Sequence, residues 1–144
     1  MMRVNRAGLN LASIVIGILF TAAVFQTMHN NPRWDWSAPG VGKLPREVIA
    51  DFMQQAYLEG RGGAAAKDYF AANAKDNAPS AIDRQDGEPI PHQVRSITGQ
   101  GMIIIVIHRI GPARGEPQSD VIDRFEVKDG RIALRERFVT RFDN

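Results

Sequence analysis

Val121-Ile122-Asp123-Arg124-Phe125-Glu126-Val127-Lys128-Asp129-Gly130-Arg131-Ile132 is the stretch that decides the fold. Asp-Gly between two alternating runs is a strong signal for a two-residue hairpin turn. Residues 119–128 and 131–142 become its two strands. A two-residue turn pairs Lys128 with Arg131 and places Asp123 opposite Glu136, with Phe125–Leu134 and Val121–Phe138 as flanking pairs. Ile132, Leu134, Glu136, Phe138 and Phe142 then share one face of the last strand. Arg131, Arg135, Arg137 and Arg141 share the other. With Arg124 and Lys128 beside it, that basic face reads as solvated, or as a meeting surface for an acidic partner or anionic lipid.

Working back from the hairpin, residues 111–118 are a Pro/Gly loop and residues 102–110 a β-branched run. That run reads as a central strand covered on both faces. Residues 94–98 form a shorter strand, turned by Gly99-Gln100-Gly101. Residues 75–91 are polar and carry three prolines, which predicts a long loop. Upstream the period changes to helical. Ile49, Phe52, Met53, Ala56 and Tyr57 mark a helix over 46–59, opened by Pro45 and closed by Gly60. A second helix is predicted over 64–74, with Ala66, Tyr69, Phe70 and Asn73 on one face. Two helices on one face of a curved, four-stranded antiparallel sheet make an α+β domain. Its predicted pocket lining is Phe52, Tyr57, Tyr69, Phe70, Val121, Phe125, Leu134 and Phe138.

The chain has 144 residues and no cysteine, which excludes disulfides, a thiol nucleophile and thiolate metal sites. His29, His92 and His108 lack ligand-like spacing, and neither metal nor cofactor is expected. The net charge of +2 is unevenly placed: residues 1–45 carry +3 and residues 46–144 carry −1. A domain of that sign argues against nucleic-acid binding.

Residues 7–28 contain no charge. As a helix they would span about 33 Å, enough to cross a bilayer core. Arg3 and Arg6 in the short segment 1–6 put the N-terminus in the cytoplasm and the domain outside it. Trp34 and Trp36 follow at interfacial depth. The rival reading is a signal peptide cleaved after Thr21-Ala22-Ala23, with the domain secreted. Residues 29–45 are a Pro/Gly-rich linker, and the domain occupies 46–144.

Two carboxylates side by side on an apolar surface, Asp123 and Glu136, suggest chemistry. Like charges at that spacing disfavour double ionisation, so one should hold its proton to higher pH and act as a general acid or base. A structural pairing with Arg95 or Arg109 is the competing reading. His108, on the 102–110 strand, is a third candidate.

The segments Val48-Ile49-Ala50-Asp51-Phe52, Ala64-Ala65-Ala66-Lys67-Asp68-Tyr69 and Val94-Arg95-Ser96-Ile97-Thr98, together with the hairpin, resemble a SnoaL-like domain of the nuclear transport factor 2-like superfamily over roughly residues 46–142. The resemblance implies a cone-shaped fold around an apolar pocket and a homodimer through the sheet. It also implies isomerase, cyclase or dehydratase activity in some members. Asp123 and His108 match polar strand positions of that family. Asp76-Asn77-Ala78-Pro79 lacks the family's histidine, Leu134-Arg135-Glu136-Arg137 puts Arg137 where an acid is expected, and the third helix is reduced to the 75–91 loop. The leading expectation is therefore a membrane-anchored, exported pocket domain that binds a small apolar molecule or an envelope protein partner without robust catalysis. An acid–base enzyme using Asp123, Glu136 and His108, and a scaffold subunit of an envelope assembly, are the alternatives.

Overall fold

The computed structural model describes Leu19, residues 37–78 and residues 82–140. The chain divides into two units, residues 1–36 and residues 37–144, and the second holds all the described elements from Pro45 onward. The predicted anchor, its cytoplasmic segment and the start of the linker lie outside the described residues, apart from Leu19. Among the described residues no helix is long and apolar enough to cross a membrane.

Helix α1 (Pro45–Met53) starts as predicted. Proline suits the first helical position because its missing N–H has no intrahelical partner there. Glu47 reaches back to accept the Leu44 N–H at 2.8 Å. Val48, Ile49, Phe52 and Met53 are buried at helical spacing. The helix runs into a π-helical turn (Gln54–Leu58), which carries the buried Ala56 and Tyr57. Helix α2 (Gly62–Tyr69) is shorter than predicted. At Phe70 the chain leaves the helix and becomes strand β1 (Phe70–Asp76). Asn73 therefore lies on a strand. The backbone groups of this segment find partners on another strand instead of within a helix, a tertiary outcome that overrides its helical propensity.

Strands β2 (His92–Gln100), β3 (Ile103–Ile110), β4 (Ser119–Lys128) and β5 (Arg131–Thr140) form the predicted antiparallel meander. The sheet has five strands, not four, in the order β1-β5-β4-β3-β2, with β1 parallel to β5. The 75–91 region contains the end of β1 and a short 3₁₀ turn (Ile82–Arg84). Strand β3 is covered on one face only. Ile104, Val106, His108 and Ile110 are buried, whereas Ile103, Ile105 and Ile107 on the opposite face are each 38–40% exposed.

The Asp129–Gly130 turn is present, with φ of 51° and 73°. Two positive values identify the type I′ hairpin that matches strand twist. Lys128↔Arg131 and Val127↔Ile132 pair as predicted, but Glu126 then pairs with Leu134. Ala133 is the extra residue of a β-bulge. A one-residue slip exchanges the two faces of a strand. Beyond Ala133, Arg135 and Arg137 point inward, while Phe138 is 58% exposed and Leu134 and Glu136 are half-buried on the outside. The predicted Phe125–Leu134, Val121–Phe138 and Asp123–Glu136 pairs are replaced by Phe125↔Arg135, Val121↔Val139 and Asp123↔Arg137.

Phe52 anchors the core, meeting Phe70 and Phe125 edge-on at centroid distances of 5.3 and 6.3 Å. The segment before α1 is clamped onto the hairpin: a Cβ on Gly40 would lie 2.0 Å from the Gly130 carbonyl oxygen. Gly40→Ala is expected to cost about 1–3 kcal/mol by forcing the two backbones apart, measurable as a lower urea midpoint. An unchanged midpoint would show that the contact is slack.

Candidate functional site

The inner face of the sheet carries a row of polar side chains that crosses all five strands. Asp76 comes from β1, Arg135 and Arg137 from β5, Asp123 from β4, His108 from β3 and His92 from β2. Tyr57 and Asp83 close the row from the helical side. Asp83, His108, Asp123, Arg135 and Arg137 are buried, the first four completely.

The contacts alternate in charge. Arg137 donates to Asp123 through Nε (2.7 Å) and Nη2 (2.6 Å), a bidentate pair. The same Nη2 donates to Asp83 at 2.9 Å and to the Tyr57 hydroxyl at 2.8 Å. Tyr57 donates its own proton to Asp83 at 2.6 Å. Arg135 donates to Asp83 (2.6 Å) and to both oxygens of Asp76 (2.9 and 2.6 Å). Its guanidinium also lies 5.4 Å from the Phe70 ring centroid. His108 Nε2 lies 3.1 Å from Asp123 Oδ2, and His108 Nδ1 lies 2.9 Å from His92 Nε2. The His92 ring stacks on Tyr57 with centroids 4.2 Å apart. Among the described residues no buried side-chain nitrogen or oxygen lacks a partner.

Local structure positions each member. The π-helical turn delivers Tyr57, and such turns recur at functional sites. Asp83 sits on the 3₁₀ turn, in a loop tied down at three places. Asp86 accepts from the Gly63 N–H at 2.9 Å, Gly87 donates to the Gly60 carbonyl at 2.8 Å, and Arg114 donates to the carbonyls of Ile82, Gln85 and Glu88. The bulge at Ala133 delivers both inward arginines.

The electrostatics follow from this packing. Burial pushes the Asp123 carboxyl up, but the hydrogen bonds from Arg137 and His108 outweigh it and hold it well below the usual range. Burial also raises Asp83, and the charges of Arg137 and Arg135 with the Tyr57 hydrogen bond reverse the sign. Tyr57 is raised well above its ordinary value by burial and by Asp83. Burial, His108 and Arg137 pull His92 down to about 4, so its ring is neutral at physiological pH.

The predicted site residues separate accordingly. Asp123 and His108 come together. Glu136 does not join them; it lies outside, bonded to Arg124 at 2.6 Å. Asp123 therefore has an arginine as neighbour, and its proton affinity is depressed rather than raised. Phe52, Phe70, Val121 and Phe125 are core residues. Tyr69 is buried in the same cluster and accepts from Gln55 at 3.2 Å. Tyr57 belongs to the polar row. Leu134 and Phe138 face away from it. Asp76, Asp83, His92, Arg135 and Arg137 escaped sequence reasoning. The available signal was the spacing of Arg135 and Arg137, which must share whichever face they occupy. Among the described residues no cluster of His, Asp and Glu could hold a metal ion.

The fold is that of nuclear transport factor 2-like (NTF2-like) proteins. An NTF2-like protein of unknown function from Cytophaga hutchinsonii superimposes with a TM-score of 0.54 at 15% identity, over 67% of this chain and 89% of that one. One from Burkholderia xenovorans gives 0.52 at 19% identity, over 69% and 86%. A third, from Burkholderia thailandensis, gives 0.50 at 20% identity, over 68% and 92%. No family model matches the chain, and no curated protein does.

Proposed function

We propose that this domain binds a small molecule at the His92 end of the polar row. The ligand carries an O–H or N–H donor on an apolar body. The observation that supports this is His92 itself: it is neutral, half-buried and stacked on Tyr57, and it ends a row whose other ring nitrogens are engaged. The buried side chains of Ile90 and Ile110 lie beside it in the chain and across the strand pair. Opposite charges buried at this density are weak evidence for stability and fit a site better. Acid–base catalysis of the SnoaL-like kind is the second reading, favoured by the Asp123–His108 pairing, with Glu136 taking no part. Residues 7–28 support export and membrane tethering of the domain.

Native mass spectrometry of the full-length protein, gently extracted from its own membrane, tests the reading. A retained small-molecule mass that is lost in His92→Gln supports it. A protein recovered without any retained mass, or bound only to other chains, points to the scaffold role.

The outer sheet face supports self-association. Ile107, Ile122 and Phe138 lie in one transverse row, exposed by 40, 40 and 58%, with Ile105 beside them. Apolar surface of this kind on a sheet marks an interface. Ile105→Lys is expected to weaken a dimer by at least about tenfold. Sedimentation that is identical for the two proteins would remove this face from consideration.

A further inference from the structure

We propose that Asp123, His108 and His92 form a proton relay whose entry point is Nδ1 of His92. The three residues stand on adjacent strands β4, β3 and β2, and their polar atoms are separated by 3.1 and 2.9 Å. Both outer members are held in place. Arg137 grips Asp123 through two hydrogen bonds. Tyr57 stacks on His92 at an interplanar angle of 12° and meets His108 edge-on at 5.9 Å.

The tautomers follow from the partners. A carboxylate can only accept, so in the neutral pair the proton of His108 sits on Nε2 and points at Asp123. His108 Nδ1 is then a lone pair and accepts from His92 Nε2–H. That leaves His92 Nδ1 as a lone pair. It has no partner among the described residues, and it is not among their buried, unsatisfied atoms. Three of the four ring nitrogens are engaged inside the line and the fourth reaches the surface. Each group thus hands its donor inward towards the carboxylate.

The transfer balances without any further reagent. A weak acid H–X, such as a hydroxyl or a C–H next to a carbonyl, docks at His92. The H–X bond breaks and its electron pair stays on X. A new N–H bond forms at His92 Nδ1, and the Nε2 proton passes to His108 Nδ1. His92 ends neutral, and the positive charge rests on His108 beside Asp123. The reverse sequence donates a proton.

The groups facing His92 explain why it needs a relay. Tyr57 comes from the π-helical turn, His108 from β3, Arg137 from β5, Asp123 from β4 and Asp83 from the 3₁₀ turn. Burial, His108 and Arg137 oppose charge on His92, and the two carboxylates only partly offset them. A proton left on His92 is disfavoured, whereas one passed inward stands against a carboxylate at hydrogen-bond distance.

This inference rests on the ligand-site reading only for the use made of the proton, and its test needs no ligand. The full chain, labelled with ¹⁵N-histidine, is examined by long-range ¹H–¹⁵N correlation and by nitrogen–nitrogen coupling across the hydrogen bond. The expected result at neutral pH is the Nε2–H tautomer on both rings, with a coupling that joins His92 Nε2 to His108 Nδ1. In His92→Gln the coupling is lost. Diethyl pyrocarbonate should modify His92 at least about tenfold faster than His108, because only His92 offers an open lone pair. A proton on His108 Nδ1 at neutral pH, an absent coupling, or equal modification of the two rings would each overturn the relay. If the relay is observed in a protein that retains no ligand mass, the ligand-site reading fails alone.

Discussion

Arg137→Met is expected to bring the domain to the edge of unfolding, with a loss of about 3–5 kcal/mol. The substitution takes from Asp123 its only guanidinium partner, at 2.6–2.7 Å in the interior, and removes one of the two cations that Asp83 contacts, leaving it Arg135. An uncompensated buried charge is the costliest outcome of breaking such a pair, and the total stability of a domain is only about 5–15 kcal/mol. Arg124→Met is the matched control. Arg124 lies on the partner strand of the same hairpin and bonds Glu136 at 2.6 Å, but both side chains are more than a third exposed. Its loss should cost under about 1 kcal/mol. Urea denaturation of the two variants decides the matter. Equal losses would mean that the inward arginine contributes no more to stability than the surface one.

Acid is the second large effect. His92 titrates near 6.5 in an unfolded chain and at about 4 in the folded domain. Between those values the unfolded state binds a proton that the folded state refuses. Stability is therefore complete above pH 6.5 and declines as the pH falls towards 4, by about 3 kcal/mol for this group. Below the unfolded carboxylate value of 3.8, Asp83 and Asp123 add a further loss. Their folded affinities are depressed, so their contribution is present above that value and disappears as the pH falls through the folded ones. The urea midpoint should thus begin to drop well above pH 4. His92→Phe, which removes the titrating ring and keeps the stacking surface, should flatten the slope between pH 6.5 and 4 and leave the steeper acid limb. A slope unchanged in that variant would place the early loss elsewhere.

The row also bears on the proposed function. Asp123 is a permanent anion and Tyr57 a permanent neutral donor at physiological pH, so neither exchanges protons with a ligand directly. Their part is to fix charge and orientation around the two histidines. In the proposed reading this differs from a paired-carboxylate acid and puts proton exchange at His92 on β2, three strands away from Glu136 on β5.

Much of the fold was written locally. The Asp129–Gly130 turn, the start of α1, the inward parity of Val121, Asp123, Phe125 and Val127, and the meander from β2 to β5 depend on turn chemistry and short-range periodicity. Those interactions act between neighbours in the chain, so the sequence carries them in readable form. Asp123 and His108 were legible for the same reason, as polar residues interrupting apolar strands. Three features were not legible. The bulge at Ala133 leaves no mark, because an alanine fits a paired or an unpaired position equally well. Hydrophobicity even argued for the wrong face, since Leu134 and Phe138 are apolar and Arg135 and Arg137 are charged. The conversion of 70–76 from helix to strand depends on the free edge of β5, 60 or so residues away along the chain. The inward position of Asp83 depends on a loop held from outside by Arg114, Gly60 and Gly63, which lie more than 20 residues along the chain from their partners in it.

By itself the sequence determined an α+β domain with helices first and a hairpin-ended meander after them, because alternation, helical spacing and an Asp-Gly turn are local instructions. Only the tertiary structure decided which face of β5 looks inward, and hence which residues form the buried polar row. Two buried acids, Asp83 and Asp123, need cations within hydrogen-bond reach, and the fold meets that need by turning a strand over one residue after its turn-proximal pairs are made.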